Sequence, residues 1–189
     1  MKGPGKLIVF TAPSGSGKTT IVRHILSVIP NTSFSVSATT RQRRPHEVEG
    51  RDYYFVSVEK FTHWIYIEAF AEWEEVYPNQ FYGTLKEEID RLHAEGKHVI
   101  FDVDVKGALH IKEIFPNETL TVFIKVPSLE ELERRLIARG TDSPENLIKR
   151  LAKAEYELTF ESQFDVVLIN DVLEETLDCA EEIVRNFLL

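Results

Sequence analysis

Apolar positions in this chain alternate between two textures, short continuous runs and helically spaced stripes. Leu7-Ile8-Val9-Phe10 is a continuous run of the kind a strand buried on both faces requires. After Thr19, the residues Ile21, Val22, Ile25, Leu26 and Ile29 recur at helical spacing until Pro30-Asn31 ends the run. A second buried run, His98 to Val103, carries a carboxylate, Asp102, near its end; Leu120 to Val126 and Phe164 to Ile169 predict two more strands. Thr84-Leu85-Lys86-Glu87 reads as a capping box for a helix through Ile89 and Leu92 that Gly96 stops. Ser128-Leu129-Glu130-Glu131 reads as a second box, and Ser143-Pro144 opens the next helix with serine at the cap and proline in the first turn. Asp171 is expected to cap a terminal helix bearing Leu177, Ala180, Ile183, Val184 and Phe187.

Buried strands alternating with helices predict an α/β fold, a parallel sheet with helices on both faces, whose ligands gather at the carboxyl ends of the strands. The stretch from about 34 to 90 breaks that rhythm. Phe34, Val36 and Ala38 alternate with serines as a strand with one wet face, Tyr53 to Val56 is extended, and aromatic residues are frequent. It is read as an inserted mixed α+β lobe, leaving 1–33 and 91–189 as the core, with a small lid at about 138–150 between two helices.

With 189 residues, 43% of them hydrophobic and 28% charged, the chain suits one α/β domain with insertions. The single cysteine, Cys179, excludes an intramolecular disulfide and a cysteine zinc site. No run approaches the roughly 20 apolar residues of a membrane span, and the N-terminal apolar run is too short for a signal peptide, so a cytoplasmic protein is expected. A net charge of −9 argues against nucleic acid as the main partner. Two local basic clusters stand out against it: Arg41, Arg43, Arg44 and Arg51, and then Arg134, Arg135, Arg139, Lys149, Arg150 and Lys153. They suit a small, highly charged anion, or else they are solvated faces.

Ala12-Pro13-Ser14-Gly15-Ser16-Gly17-Lys18-Thr19 decides between these. It follows a buried strand, opens a helix, and satisfies the phosphate-loop pattern except that alanine replaces the first glycine. Gly15 and Gly17 let backbone N–H groups turn toward phosphate oxygens at the positive end of a helix. Lys18 is placed to reach β- and γ-phosphates, and the Thr19 hydroxyl to ligate Mg²⁺. Asp102, at a strand end, is the candidate second metal-orienting carboxylate, acting through water. An Asn-Lys-x-Asp guanine motif of GTPases is missing.

The chain resembles the guanylate kinases. Pro13 to Lys18, Ser35 to Arg41, Gly50 to Tyr53, Glu72-Trp73 and Tyr82-Gly83-Thr84 carry the resemblance, followed by Asp102-Val103-Asp104, Arg139-Gly140-Thr141 and Asn170-Asp171 in family order. The resemblance implies Mg²⁺-dependent transfer of the γ-phosphoryl of ATP to GMP. It implies that Arg41, Arg44, Tyr53 and Tyr82 bind the GMP phosphate, as guanidinium forks and phenol hydroxyls suit a dianion. It implies that Glu72 and Asp104 face guanine N1–H and the 2-amino group, and that Ser37 and Thr84 face the O6/N7 edge. Lys18, Arg41, Arg135, Arg139 and Arg150 are then the catalytic cations. ATP would lie along residues 12–19 and Thr20, near Arg139, with Asn170 by the adenine.

Three positions and one segment depart from the family pattern: Ala12, Ala38, Lys106, and the stretch Tyr77 to Tyr82, which is one residue longer and holds Pro78 where glycine is usual. Two other readings use the same residues. A guanylate-kinase-like domain that binds phosphopeptides needs no ATP site, which Lys18, Thr19 and Asp102 would supply. A kinase for another small phosphorylated acceptor would have no use for Glu72, Ser37 and Thr84 together.

Overall fold

The computed structural model describes residues 5–140 and 143–189. Its core is a five-stranded, all-parallel sheet in the order β2-β7-β1-β8-β9. These strands are β1 (Leu7–Thr11), β2 (Thr32–Phe34), β7 (His98–Asp102), β8 (Thr119–Lys125) and β9 (Val166–Ile169). The continuous apolar runs are explained by what covers them. Leu7, Val9, Val99 and Phe101 point to one face, where they meet α3 (Lys86–Ala94) and α4 (Val105–Ile114). Ile8, Phe10 and Ile100 point to the other, against α1 (Lys18–Val28) and α7 (Leu173–Leu188).

A second sheet, in the order β4-β3-β6-β5, is mixed. It contains β3 (Ala38–Thr39), β4 (Tyr54–Phe55), β5 (Phe70–Tyr77) and β6 (Gln80–Leu85), covered by α2 (Val58–Tyr66). Phe61 of α2 is fully buried there, stacked on Phe70 at 4.3 Å and on Phe81 at 5.3 Å between ring centroids. Two-sided aromatic packing of this kind has no simple period, which is why the sequence pattern does not resolve α2, β5 and β6 individually.

Several local expectations need correction. The single strand through Phe34, Val36 and Ala38 is two strands in two sheets. Ser35 N–H still donates to Ile100 of the core, whereas the Ser37 carbonyl already accepts from Tyr54 in the second sheet. Phe34 therefore pairs in the core sheet, and α3 bridges the two sheets: its Ile89 and Leu92 pack with β7, and its Glu88 accepts from the Tyr54 hydroxyl of β4. Thr84 does not cap α3. Leu85 stands at that cap, and the Thr84 hydroxyl is fully buried in a bond to Glu72. Asp171 does not cap α7 either, because Val172 occupies the cap and no side chain bonds there.

At α5 (Leu129–Arg139) Ser128 caps by accepting from Glu131 N–H, but the Glu131 carboxylate accepts from Arg134 and Arg135 instead of closing the expected box; at α6 (Pro144–Leu158) Ser143 accepts from Asn146 N–H as read. Much of the expected lid, 138–150, is thus the end of α5 and the start of α6; residues 141–142 of it, including Thr141, lie outside the described residues. The path at Pro78 is a tight hairpin. Tyr77 pairs with Gln80, and Asn79 takes the left-handed conformation (φ 61°) that glycine would otherwise supply.

Phe61 is the keystone of the second sheet. Phe61→Ala is expected to destabilise that sheet by about 3–5 kcal/mol, read as an earlier unfolding transition in urea; a transition at the wild-type midpoint would refute its packing role.

Candidate active site

The carboxyl ends of β1 and β7 face a cleft of about 1020 Å³ between the two sheets and the α5–α6 pair. Its floor is the loop from Ala12 to Gly17. Gly17 (φ 90°) stands at the N-cap of α1, and a Cβ there would lie 2.3 Å from Asn170 Nδ2. Gly15 (φ 98°) lies against Leu136 of α5. Positive φ and close packing together demand glycine at both positions. Ala12 needs no such conformation, so its Cβ is harmless.

Asn170 is where the sequence reading and the structure part. Its side chain is buried and donates to the Ser16 carbonyl at 2.7 Å, so it braces the loop from behind and does not line the cleft. Ser16 is buried too, and also absent from the lining.

Lys18, the first residue of α1, points across the loop to Asp102 Oδ1 at 2.5 Å and to the Val103 carbonyl at 3.3 Å. Thr19, Thr20 and Asp102 line the cleft around it. Among the described residues no three acidic, histidine or cysteine side chains form a cage for a metal ion. The hydroxyl of Thr19 and the carboxylate of Asp102 are hard oxygen donors beside a phosphate loop. This donor set fits Mg²⁺, which takes one or two protein oxygens and completes its shell with phosphate and water.

The opposite wall is the second sheet. Glu72 on β5 lies across from Thr84 on β6, whose hydroxyl donates to Glu72 Oε1 at 2.6 Å. Helix α4 comes close to this carboxylate because residue 107 is glycine; a Cβ there would stand 2.9 Å from Glu72 Oε2. Asp104 caps α4 by accepting from Gly107 N–H at 2.8 Å. Burial raises the Glu72 carboxyl to about 7, with the Asp104 charge adding to the shift and the Thr84 bonds opposing it.

Glu74 was missed by the sequence reading. It lies two residues along β5 from Glu72, lines the cleft, and shares a hydrogen bond with Asp104 that, with burial, lifts its carboxyl to about 7. The period-2 signal that would have found it depends on recognising β5, which the sequence pattern left unassigned.

Ser37, Tyr53 and Tyr82 also line the cleft, with the two tyrosine rings edge to face at 5.9 Å. Arg41 and Arg44 do not line it. Arg41 is held by Glu47, and Arg44 is exposed on the same loop. The third wall is α5–α6. Arg135 and Arg139 line it, and Arg150 Nη1 donates to Ser14 of the phosphate loop at 2.6 Å. Lys153 and Glu157 of α6 join them; burial raises the Glu157 carboxyl, against the pull of Lys153 and Lys18.

The arrangement therefore sets a phosphate cradle and a cluster of cations opposite an acidic pocket. Comparison with known proteins gives the family. The family model described as Guanylate kinase matches residues 4–187. Guanylate kinase of Bacteroides fragilis is 47% identical over 98% of this chain and 91% of its own length. That of Chlorobaculum tepidum is 48% identical over 97% of this chain and 94% of its own. The crystal structure of guanylate kinase from Anaplasma phagocytophilum superimposes with a TM-score of 0.78 at 31% identity, covering 100% of this chain and 88% of that one. The chain belongs to the guanylate kinase family of nucleoside monophosphate kinases.

Proposed function

We propose that this protein transfers the γ-phosphoryl group of ATP to GMP, giving ADP and GDP. The observation that carries the reading is the placement of the buried Glu72–Thr84 pair across one cleft from the Lys18 cradle. The first is a recognition site for a base with donors at N1 and N2. The second is a site for a triphosphate. A domain that only bound phosphopeptides would need neither the Lys18–Asp102 pair nor Thr19.

ATP phosphates lie along residues 12–19, with Thr20 and Arg139 beside them. GMP lies with its base on Glu72, which the buried Thr84 hydroxyl holds, beside Ser37 and Asp104, and its phosphate toward Tyr53, Tyr82, Arg41 and Arg44. A phosphate oxygen of GMP attacks the γ-phosphorus as the bond from that phosphorus to the β–γ bridging oxygen breaks. The nucleophile is already ionised near neutral pH, so no side chain has to remove a proton. What the residues do is position and neutralise. Lys18, Arg135, Arg139 and Arg150 hold the transferring oxygens, and Arg150 is already joined to the loop through Ser14. Thr19 and, through water, Asp102 would hold Mg²⁺, which supplies further charge neutralisation on the phosphates when bound. Adenine has an acceptor at N1 and lacks the 2-amino group, so it would leave Glu72 facing a lone pair; exclusion on that basis can reach 10⁴-fold or more in order of magnitude. A cytoplasmic setting goes with this reading. Among the described residues no helix is long and apolar enough to cross a membrane.

Lys18→Ala is expected to lower turnover with ATP and GMP by about 100- to 1,000-fold while the circular dichroism spectrum stays that of the wild type; turnover near normal would defeat the assignment. Glu72→Gln is expected to weaken GMP binding by about 10- to 100-fold and leave ATP binding alone, as titration calorimetry with each nucleotide can decide.

A pH profile follows from the same carboxyl. The ionised form accepts from the guanine N–H groups more strongly than the protonated form, one of whose oxygens carries a hydrogen, so GMP affinity should rise as pH rises through about 7 and then level off. The GMP phosphate itself ionises at about 6, but that step is common to wild type and Glu72→Gln. The ratio of their dissociation constants isolates Glu72, and a ratio flat between pH 6 and 8, within a range of about two units around that value, would count against it.

A further inference from the structure

Glu47 is a buried charge that the reaction above does not use. It stands 8% exposed on the loop between β3 and β4, the loop that also carries Arg41 and Arg44. Its Oε1 accepts from Arg41 Nη2 at 2.6 Å, and its Oε2 accepts from Arg41 Nη1 at 3.1 Å and from the backbone N–H of Arg44 at 2.8 Å. One carboxylate thus ties the side chain of one arginine to the backbone of the other. The Arg41 guanidinium holds this carboxyl well below the usual carboxylate range, at about 2, so it is ionised at any physiological pH.

The remaining bonds of Arg41 are equally specific. Nε–H donates to the Tyr82 hydroxyl at 3.1 Å, and Nη1 donates a second time, to the Gln42 carbonyl at 2.7 Å. The ring centroids of Tyr53 and Phe55 lie 5.5 Å and 5.9 Å from Cζ. A guanidinium has five N–H donors, and four of those of Arg41 are engaged, leaving one on Nη2. The fork that would grip a phosphate with two parallel N–H groups is already occupied. Tyr82, by contrast, only accepts from Arg41, so its own O–H proton is available in the cleft that it lines.

A carboxylate beside an anion site weakens the local attraction for phosphate. Its presence there makes physical sense if it gives geometry in return. We infer that Glu47 is a positioning residue for the acceptor phosphate: it locks Arg41, and through Arg41 Nε the Tyr82 hydroxyl, so that the Tyr82 O–H, which lines the cleft, receives the phosphate in a fixed orientation. This rests on the acceptor reading above and adds to it a residue that does not touch the substrate. Arg41 then acts less as a two-pronged clamp than as the rigid support of a tyrosine donor.

The test compares GMP with guanosine, which has the base and no phosphate, each measured as a competitor or ligand of the full-length protein. Glu47→Gln is expected to weaken GMP by about tenfold or more while guanosine and ATP keep their wild-type affinities; a merely structural defect would lower all three. In the Arg41→Ala background, Glu47→Gln should add nothing further, because its effect runs through Arg41. Equal or tighter GMP binding by Glu47→Gln, or losses that add fully in the double variant, would overturn the inference and mark Glu47 as a competitor that masks Arg41. Should Glu47→Gln fail to fold, Tyr82→Phe carries the test: loss of GMP but not guanosine affinity supports the Tyr82 donor that Arg41 holds, and an unchanged GMP affinity overturns it. A wild-type protein that binds guanosine and GMP equally, or neither, would instead sink the acceptor reading itself.

Discussion

The working parts of this molecule depend on a close approach at one point, where the backbone of Gly17 rests on the side-chain amide of Asn170. The loop between β1 and α1 can turn its N–H groups inward only if Gly15 and Gly17 hold left-handed conformations, and such a loop keeps its shape only if something supports it. Asn170 gives that support from the end of β9 by bonding the Ser16 carbonyl, and Leu136 of α5 gives it from the side. Strands β1 and β9 are separated by β8 in the sheet, so the loop is held by an element far away in sequence. Lys18 and Thr19 inherit their positions from it.

The same logic of close approach builds the acceptor side. A glycine in the first half of α4 lets Glu72 come against the helix, and a glycine on β6, Gly83, sits where a Cβ would strike Trp73 and the Glu72 carbonyl at 2.8 Å. Buried acid needs a partner, and Thr84 supplies one. Glu72, Glu74 and Asp104 thus gather three carboxyl groups on one side of the cleft, and burial raises two of them, Glu72 and Glu74, to about 7.

What could be read from the chain follows the range over which each signal acts. The phosphate loop, its flanking strand and helix, and the caps at Ser128 and Ser143 are local, and they form as the residues suggest. The cap read at Thr84 fails because a partner on another strand intervenes, Glu72 taking the Thr84 hydroxyl; the one read at Asp171 fails because α7 starts a residue later, with Val172 at its cap. The strand drawn through Val36 fails for a related reason, because alternation survives a change of sheet. Of the residues the family resemblance singles out, Tyr53, Glu72 and Tyr82 line one cleft and Arg41 does not, and the resemblance could not show that Arg41 is engaged by Glu47 or that Asn170 bonds the loop. Those are properties of partner choice in three dimensions, where one donor has several acceptors within reach.

The ion pair between Lys18 and Asp102 has an implication for the order of events. Without a ligand, the two charges satisfy one another. On the proposed reading, a triphosphate that took the Lys18 ammonium group would strip Asp102 of its counter-charge, and a divalent ion would restore it. Occupation of the two places would then be coupled, each favouring the other.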